Sequence, residues 1–189
     1  MKRFLLAVGA VGALLLSAGA ASAAESDFVT TFRKVCVETV SSVDAQAAAG
    51  RKAGFSEVQA PAPKGLEKSV TMTRTAGDQQ WLLIAGSMTT PANDEFPVQT
   101  GLTCLMGGNS GIDLAGVESW MGLKPYSDKN GVKMFAFEIV DGRRVALNAE
   151  DGKAVTAALG RRGYYLIMLG GSPGQELAVA AFSQSPGKP

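Results

Sequence analysis

Residues 96–125, FPVQTGLTCLMGGNSGIDLAGVESWMGLKP, decide how this chain folds. Val98, Thr100, Leu102, Cys104 and Met106 recur at every second position, the side-chain period of a strand, so all five share one face. Gly107-Gly108-Asn109-Ser110-Gly111 then turns the chain, and Ser110 with Asp113 forms an S-x-x-D pattern expected to cap a helix. Leu114, Val117, Trp120 and Met121 give that helix an apolar stripe, and Gly122 and Pro125 stop it. A glycine run at a helix start can cradle an anion on free amides. Here neither G-x-x-x-x-G-K-[ST] nor G-x-G-x-x-G is present, and a tight strand-to-helix turn accounts for the glycines. Asn109, Ser110, Trp120 and the neighbouring Tyr126 are the residues of this region suited to holding a ligand or a partner. They offer an amide, a hydroxyl and two rings with polar tips.

Cys104 has one possible cysteine partner, Cys36. Ser26 and Asp27 open an N-terminal helix with a hydroxyl cap and a negative charge at the positive end of the dipole. Phe28, Phe32, Val35, Cys36, Thr39 and Val43 follow at helical spacing, so Cys36 also points inward. A second helix is expected over 44–53, ended by Arg51, Lys52 and Gly54, with Phe55 packing back. Two inward cysteines in an exported chain predict one disulfide, Cys36–Cys104, tying helix to strand. It closes a loop of 68 residues, for which chain entropy gives about 4 kcal/mol. Metal or redox roles are disfavoured, since there is no C-x-x-C and no histidine to complete a zinc set.

Export is read from the opening residues, MKRFLLAVGAVGALLLSAGAASAAES. Lys2 and Arg3 precede an apolar stretch over 4–16, and Ala21-Ser22-Ala23 forms an A-x-A cleavage signal. The apolar stretch falls short of the roughly 20 residues a membrane span needs. The expectation is a bacterial signal peptide over 1–23 cleaved after Ala23, a single domain over 24–183 and a loose tail over 184–189. The mature protein would have no membrane span and lie in the periplasm or outside the cell. Without Lys2 and Arg3, 16 basic residues face 17 acidic ones. Nucleic-acid binding is therefore not expected, since phosphate contacts demand a basic excess. The pairs Arg33-Lys34, Arg51-Lys52, Arg143-Arg144 and Arg161-Arg162 are taken as solvated surface charge.

The remaining pattern is mostly strand. Residues 57–65, with Pro61 and Pro63, make an extended connector. Residues 68–75 alternate and turn at Ala76-Gly77-Asp78 into the doubly apolar 80–88, a central strand. Residues 126–131 form a polar loop, and 132–140 alternate with Phe135 and Phe137 on one face. Asp141-Gly142 is a strong hairpin signal into 143–147. Asn148 is expected to cap a helix over 149–159, followed by Gly160 and by strands over 164–169 and 176–182. The fold expected is α+β: two N-terminal helices on a mostly antiparallel sheet of about six or seven strands, with two inserted helices and one disulfide.

Catalytic signatures are sparse. A chain without histidine has no Ser-His-Asp or Cys-His set and no H-E-x-x-H. The G-x-S-x-G at 170–174 lacks the following helix and later histidine of a nucleophile elbow, so it is a hairpin turn. Glu95, Asp113, Glu118 and Glu138 are the candidates for a carboxylate pair, with Glu138 placed on a solvated strand face. No cofactor or metal motif is found; Asp94-Glu95 and Asp128 lack the calcium-loop pattern. The balance is against an enzyme. The expected function is a non-catalytic exported protein that binds a small molecule or an envelope protein. The alternatives are a histidine-independent hydrolase using carboxylates or a serine, and a protein-partner module such as an inhibitor.

Overall fold

The computed structural model describes residues 25–94, 96–172 and 174–186. The expected signal peptide lies outside the described residues, as do Glu95 and the last three residues of the expected tail. Ser26 caps α1 (Asp27–Phe32), its hydroxyl accepting from the Val29 amide at 3.3 Å. The chain then widens into a π turn (Arg33–Val37), closed by the Glu38 amide on the Arg33 carbonyl at 2.9 Å. The regular helix expected as far as Val43 therefore ends early. Val35, Cys36 and Val37 are all buried, and the smaller rotation per residue of a π turn keeps three consecutive side chains on one face. Ser42 caps α2 (Val43–Lys52). Gly54 follows with a positive φ, and the Phe55 amide folds back to the Gly50 carbonyl.

The architecture is α+β, with one wholly antiparallel sheet and four α-helices among the described residues. The strands are β1 (Ser56–Val58), β2 (Lys68–Ala76), β3 (Gln79–Thr90), β4 (Gln99–Gly108), β5 (Ser127–Lys129), β6 (Val132–Val140), β7 (Arg143–Ala146), β8 (Tyr164–Ser172) and β9 (Gln175–Gln184). Their order is β1-β2-β3-β4-β9-β8-β6-β5, with β7 pairing the far end of β6. The remaining helices are α3 (Leu114–Met121) and α4 (Gly152–Arg161).

Register builds the core. Met72, Leu83, Met106, Ala178 and Leu169 stand opposite one another across five adjacent strands, and all are buried. With Phe28, Phe32, Phe135 and Phe137 they form the main core, under α1, the π turn and α3. Cys36 and Cys104 are joined there, their Cα atoms 5.1 Å apart. On the opposite face Val155, Ala158 and Leu159 of α4 pack with Ala136, Leu147 and Tyr164 in a second, smaller core. Gly108 marks the closest approach of β3 and β4, since a Cβ there would lie 2.3 Å from the Gln80 carbonyl oxygen.

Several expectations need correction. The sheet has nine strands because β1 forms in the expected connector and β5 in the expected loop 126–131. The β5–β6 turn is Asn130-Gly131, both at positive φ, the signature of a two-residue hairpin. Asp113, not Ser110, caps α3, accepting from the Gly116 amide at 2.7 Å. Asp151 caps α4, accepting from the Lys153 and Ala154 amides, and the helix runs on through Gly160 to Arg161. Asn148 instead accepts from the Glu150 amide. Gln184, the first residue of the expected tail, pairs with Thr100 in β9, and the Ser185 hydroxyl donates to the Leu159 carbonyl.

Candidate functional site

The cleft with the most chemistry opens between the C-terminal end of α3, the π turn and the β6–β7 hairpin, with a volume of about 730 Å³. Each wall has a local cause. Gly122, at φ 64°, ends α3 in the left-handed conformation and leaves Trp120 and Leu123 at the rim. The π turn brings Arg33 and Val37 to the opposite wall. Asp141-Gly142, both at positive φ, reverses β6 into β7 and sets Arg143 and Arg144 beside them. Phe137 and Tyr165 form the floor, their rings stacked with centroids 5.0 Å apart.

The charge of the lining is unbalanced. Arg33, Arg143 and Arg144 are among its lining residues with Glu38 as the one acid there, and of the two hairpin arginines it is Arg144 that shares the face of Ile139. Arg33 is engaged, pairing with Glu25 at 2.9 Å and Glu38 at 3.2 Å. Arg143 and Arg144 make no ion pair among the described residues. The Arg144 guanidinium lies over the Trp120 ring, 4.4 Å from its centroid, an arrangement that fixes a cation without neutralising it. Burial, with the nearby Arg33 charge adding to it, pulls Arg144 below the ordinary arginine range. It remains charged at neutral pH, so a bound anion would relieve a repulsion already present.

Of the four residues expected to hold a ligand or a partner, Asn109, Ser110, Trp120 and Tyr126, only Trp120 lines this cleft. Asn109 and Ser110 brace the end of the β3–β4 pair. The Asn109 side chain accepts from the Gln80 amide at 2.8 Å and donates to the Asp78 carbonyl, while the Ser110 carbonyl accepts from Trp81 Nε1 at 3.0 Å. Tyr126 lies against the second core, on the other side of the sheet, with its hydroxyl 3.7 Å from Met134 Sδ. Arg33, Arg143 and Arg144, members of two basic pairs expected as solvated surface charge, line the cleft instead. The available signal was that Arg143-Arg144 directly follows a strong hairpin turn, which holds both at a defined place.

Three of the four candidate carboxylates, Asp113, Glu118 and Glu138, are otherwise occupied. Asp113 accepts from the Ser26 hydroxyl as well as capping α3. Glu118 pairs with Lys133 at 2.6 Å. Glu138, expected on a solvated face, is only 8 % exposed and takes both Nε and Nη2 of Arg161 at 3.1 and 2.6 Å. A buried carboxylate needs such a partner, and α4 supplies it from the other side of a connection the sequence pattern does not show. No group of three or more histidine, cysteine or acidic residues suited to a metal ion occurs among the described residues. Gly170 and Ser172 of the G-x-S-x-G lie in β8, whose hairpin to β9 pairs Ser172 with Gln175.

No family model, no curated protein and no solved structure matches the chain. Among the described residues no helix is long and apolar enough to cross a membrane. That and the disulfide are compatible with a periplasmic or extracellular location.

Proposed function

We propose that this is a non-catalytic binding protein of the bacterial envelope or its exterior, which holds an anionic ligand with an aromatic or apolar part in the cleft between α3 and the β6–β7 hairpin. The observation that carries this reading is Arg144, stacked on Trp120 beside Arg33 and Arg143, with one acid in the lining. A guanidinium held against a ring keeps its outer N–H groups free for a carboxylate, sulfonate or phosphate, and the Phe137–Tyr165 floor suits a flat apolar body. Export places such a protein among diffusible solutes and envelope proteins.

The test is titration of the oxidised protein with naphthalene-1-sulfonate, followed by calorimetry and tryptophan fluorescence. Trp120 at the rim should respond, whereas Trp81 is buried in the main core. Saturable binding is expected, and Arg144→Gln should weaken it roughly tenfold or more, the worth of one hydrogen bond to a charged group. Failure of any saturable binding, or binding indifferent to Arg144→Gln, overturns the proposal.

A further inference from the structure

Resting on that reading of the cleft, we infer that the occupant it is built for is an extended acidic segment of a partner protein, added as a strand to the open edge of β7. The phase of the β6–β7 ladder is fixed by the Leu147 amide, which donates to the Ala136 carbonyl at 2.8 Å. Mutually bonded pairs in an antiparallel ladder recur every second residue. Val145 with Glu138 and Arg143 with Val140 are therefore the bonded pairs, whereas Arg144 and Ala146 stand opposite Ile139 and Phe137 in the unbonded ones. The N–H and C=O groups of Arg144 and Ala146 consequently point away from β6. Nothing pairs with β7 on that side, and neither residue's backbone takes another hydrogen bond among the described residues.

Side-chain chemistry says what kind of strand fits. Arg144 shares a face with Ile139, and that face is the cleft. A residue of an added strand directly opposite Arg144 would project onto the same face, its Cβ about 4.5–5.5 Å away. A glutamate or aspartate there meets the guanidinium over Trp120, within the field of Arg33. The other face of the hairpin carries Val140 and Val145 beside Arg143, and the two valines with Ile139 are three of the five exposed large hydrophobic residues among those described. Apolar residues at alternate positions of the segment would cover Val145. The main chain supplies up to four hydrogen bonds and the alternating side chains supply selectivity, as in strand addition generally. A second copy of this chain is the poorer occupant, since antiparallel pairing of β7 with itself would set either Ala146 or the like charge of Arg144 opposite Arg144 and would bring no acid to the guanidinium.

The experiment uses the oxidised protein and a capped synthetic peptide of about seven residues alternating glutamate with valine, the length of an ordinary strand. Binding should slow amide exchange at Arg144 and Ala146 and shift their resonances most. The glutamine counterpart of the peptide should bind at least about tenfold more weakly. Ala146→Pro deletes one outward N–H without removing a bond to β6. It should weaken the peptide severalfold while leaving naphthalene-1-sulfonate binding unchanged. A peptide N-methylated at every second residue, on either phase, makes the same test on the unaltered protein. Equal affinity for the methylated peptides, shifts that map to β1, or a dimer that dissociates on Ala146→Pro would each overturn the inference. Sulfonate binding without peptide binding defeats this inference alone; absence of both defeats the cleft as well.

Discussion

Residues 27–121 and residues 127–184 contribute strands to one sheet, but they hold their helices in opposite ways. In the first region α1, the π turn and α3 cover a single face, and the ties between them and the sheet are redundant. Cys36 is bonded to Cys104, and the Ser26 hydroxyl reaches Asp113. Arg74 lies over the rings of Trp81 and Phe55 while donating to the Ala53 carbonyl and pairing with Asp27. In the second region one helix, α4, covers the other face over a handful of buried residues, pinned at its end by Arg161 on Glu138. The β6–β7 hairpin beside it stays open. Redundant packing sets the stability of the whole, while sparse packing leaves a segment free to receive something. The cleft lies where the two regimes meet.

The largest effect should come from cutting the covalent tie. Replacing Cys36 and Cys104 by serine together should cost about 4 kcal/mol. By calorimetry that is a fall in Tm on the order of 10 °C. A fall of a degree or two would mean that the first region owes nothing to its disulfide, and the contrast would lose its main support. Next is Leu159→Ala, which empties the second core and should cost about 3 kcal/mol. Its signature should be local, with α4 amides exchanging faster well before those of β3 and β4. Equal acceleration in both regions would show a single cooperative unit instead of two unequal ones.

The smallest effect is that of alkali. Tyr126, Tyr164 and Tyr165 are all held above the ordinary phenol value of about 10, chiefly by burial. Tyr164 also donates to Gln99 Oε1 at 3.2 Å in the interior. A raised folded-state value means that the folded protein keeps protons the unfolded chain has lost. Their contribution is therefore complete below pH about 10 and disappears as the pH climbs through the folded values. Denaturant midpoints should hold steady up to that pH and then fall, with phenolate absorbance rising alongside. Tyr165→Phe should flatten the fall, and an unchanged slope would remove Tyr165 from the account.

What the sequence disclosed was local and periodic. The Ser26 cap, the Gly54 stop with Phe55 folding back, the Asp141-Gly142 hairpin and the inward cysteines each depend on neighbours within a few positions, and each stands in the structure. Asn130-Gly131 was equally strong as a turn signal. The strand it begins from, β5, is Ser-Asp-Lys and offers no apolar alternation to mark it as a strand. The burial of Glu138 depends on Arg161, which approaches only once α4 has crossed the second face. The cleft was still less legible: Arg33, Trp120 and Arg144 come from three separate elements, and no spacing in the chain records their meeting.

The strand order also bears on the time course of folding. The sheet hydrogen bonds of β4 on its outer side are made by β9, the last strand among the described residues, so the two regions are joined in the sheet there only through that strand. The chain emerges N-terminus first, so β2, β3 and β4 are available to pair before Gln175–Gln184 arrives, and that half can form while its edge at β4 is still bare. Pairings between residues so distant in sequence form slowly. The seam is therefore the natural last step of folding, and a chain that ends before β9 would present β4 as an unpaired strand to whatever lies nearby.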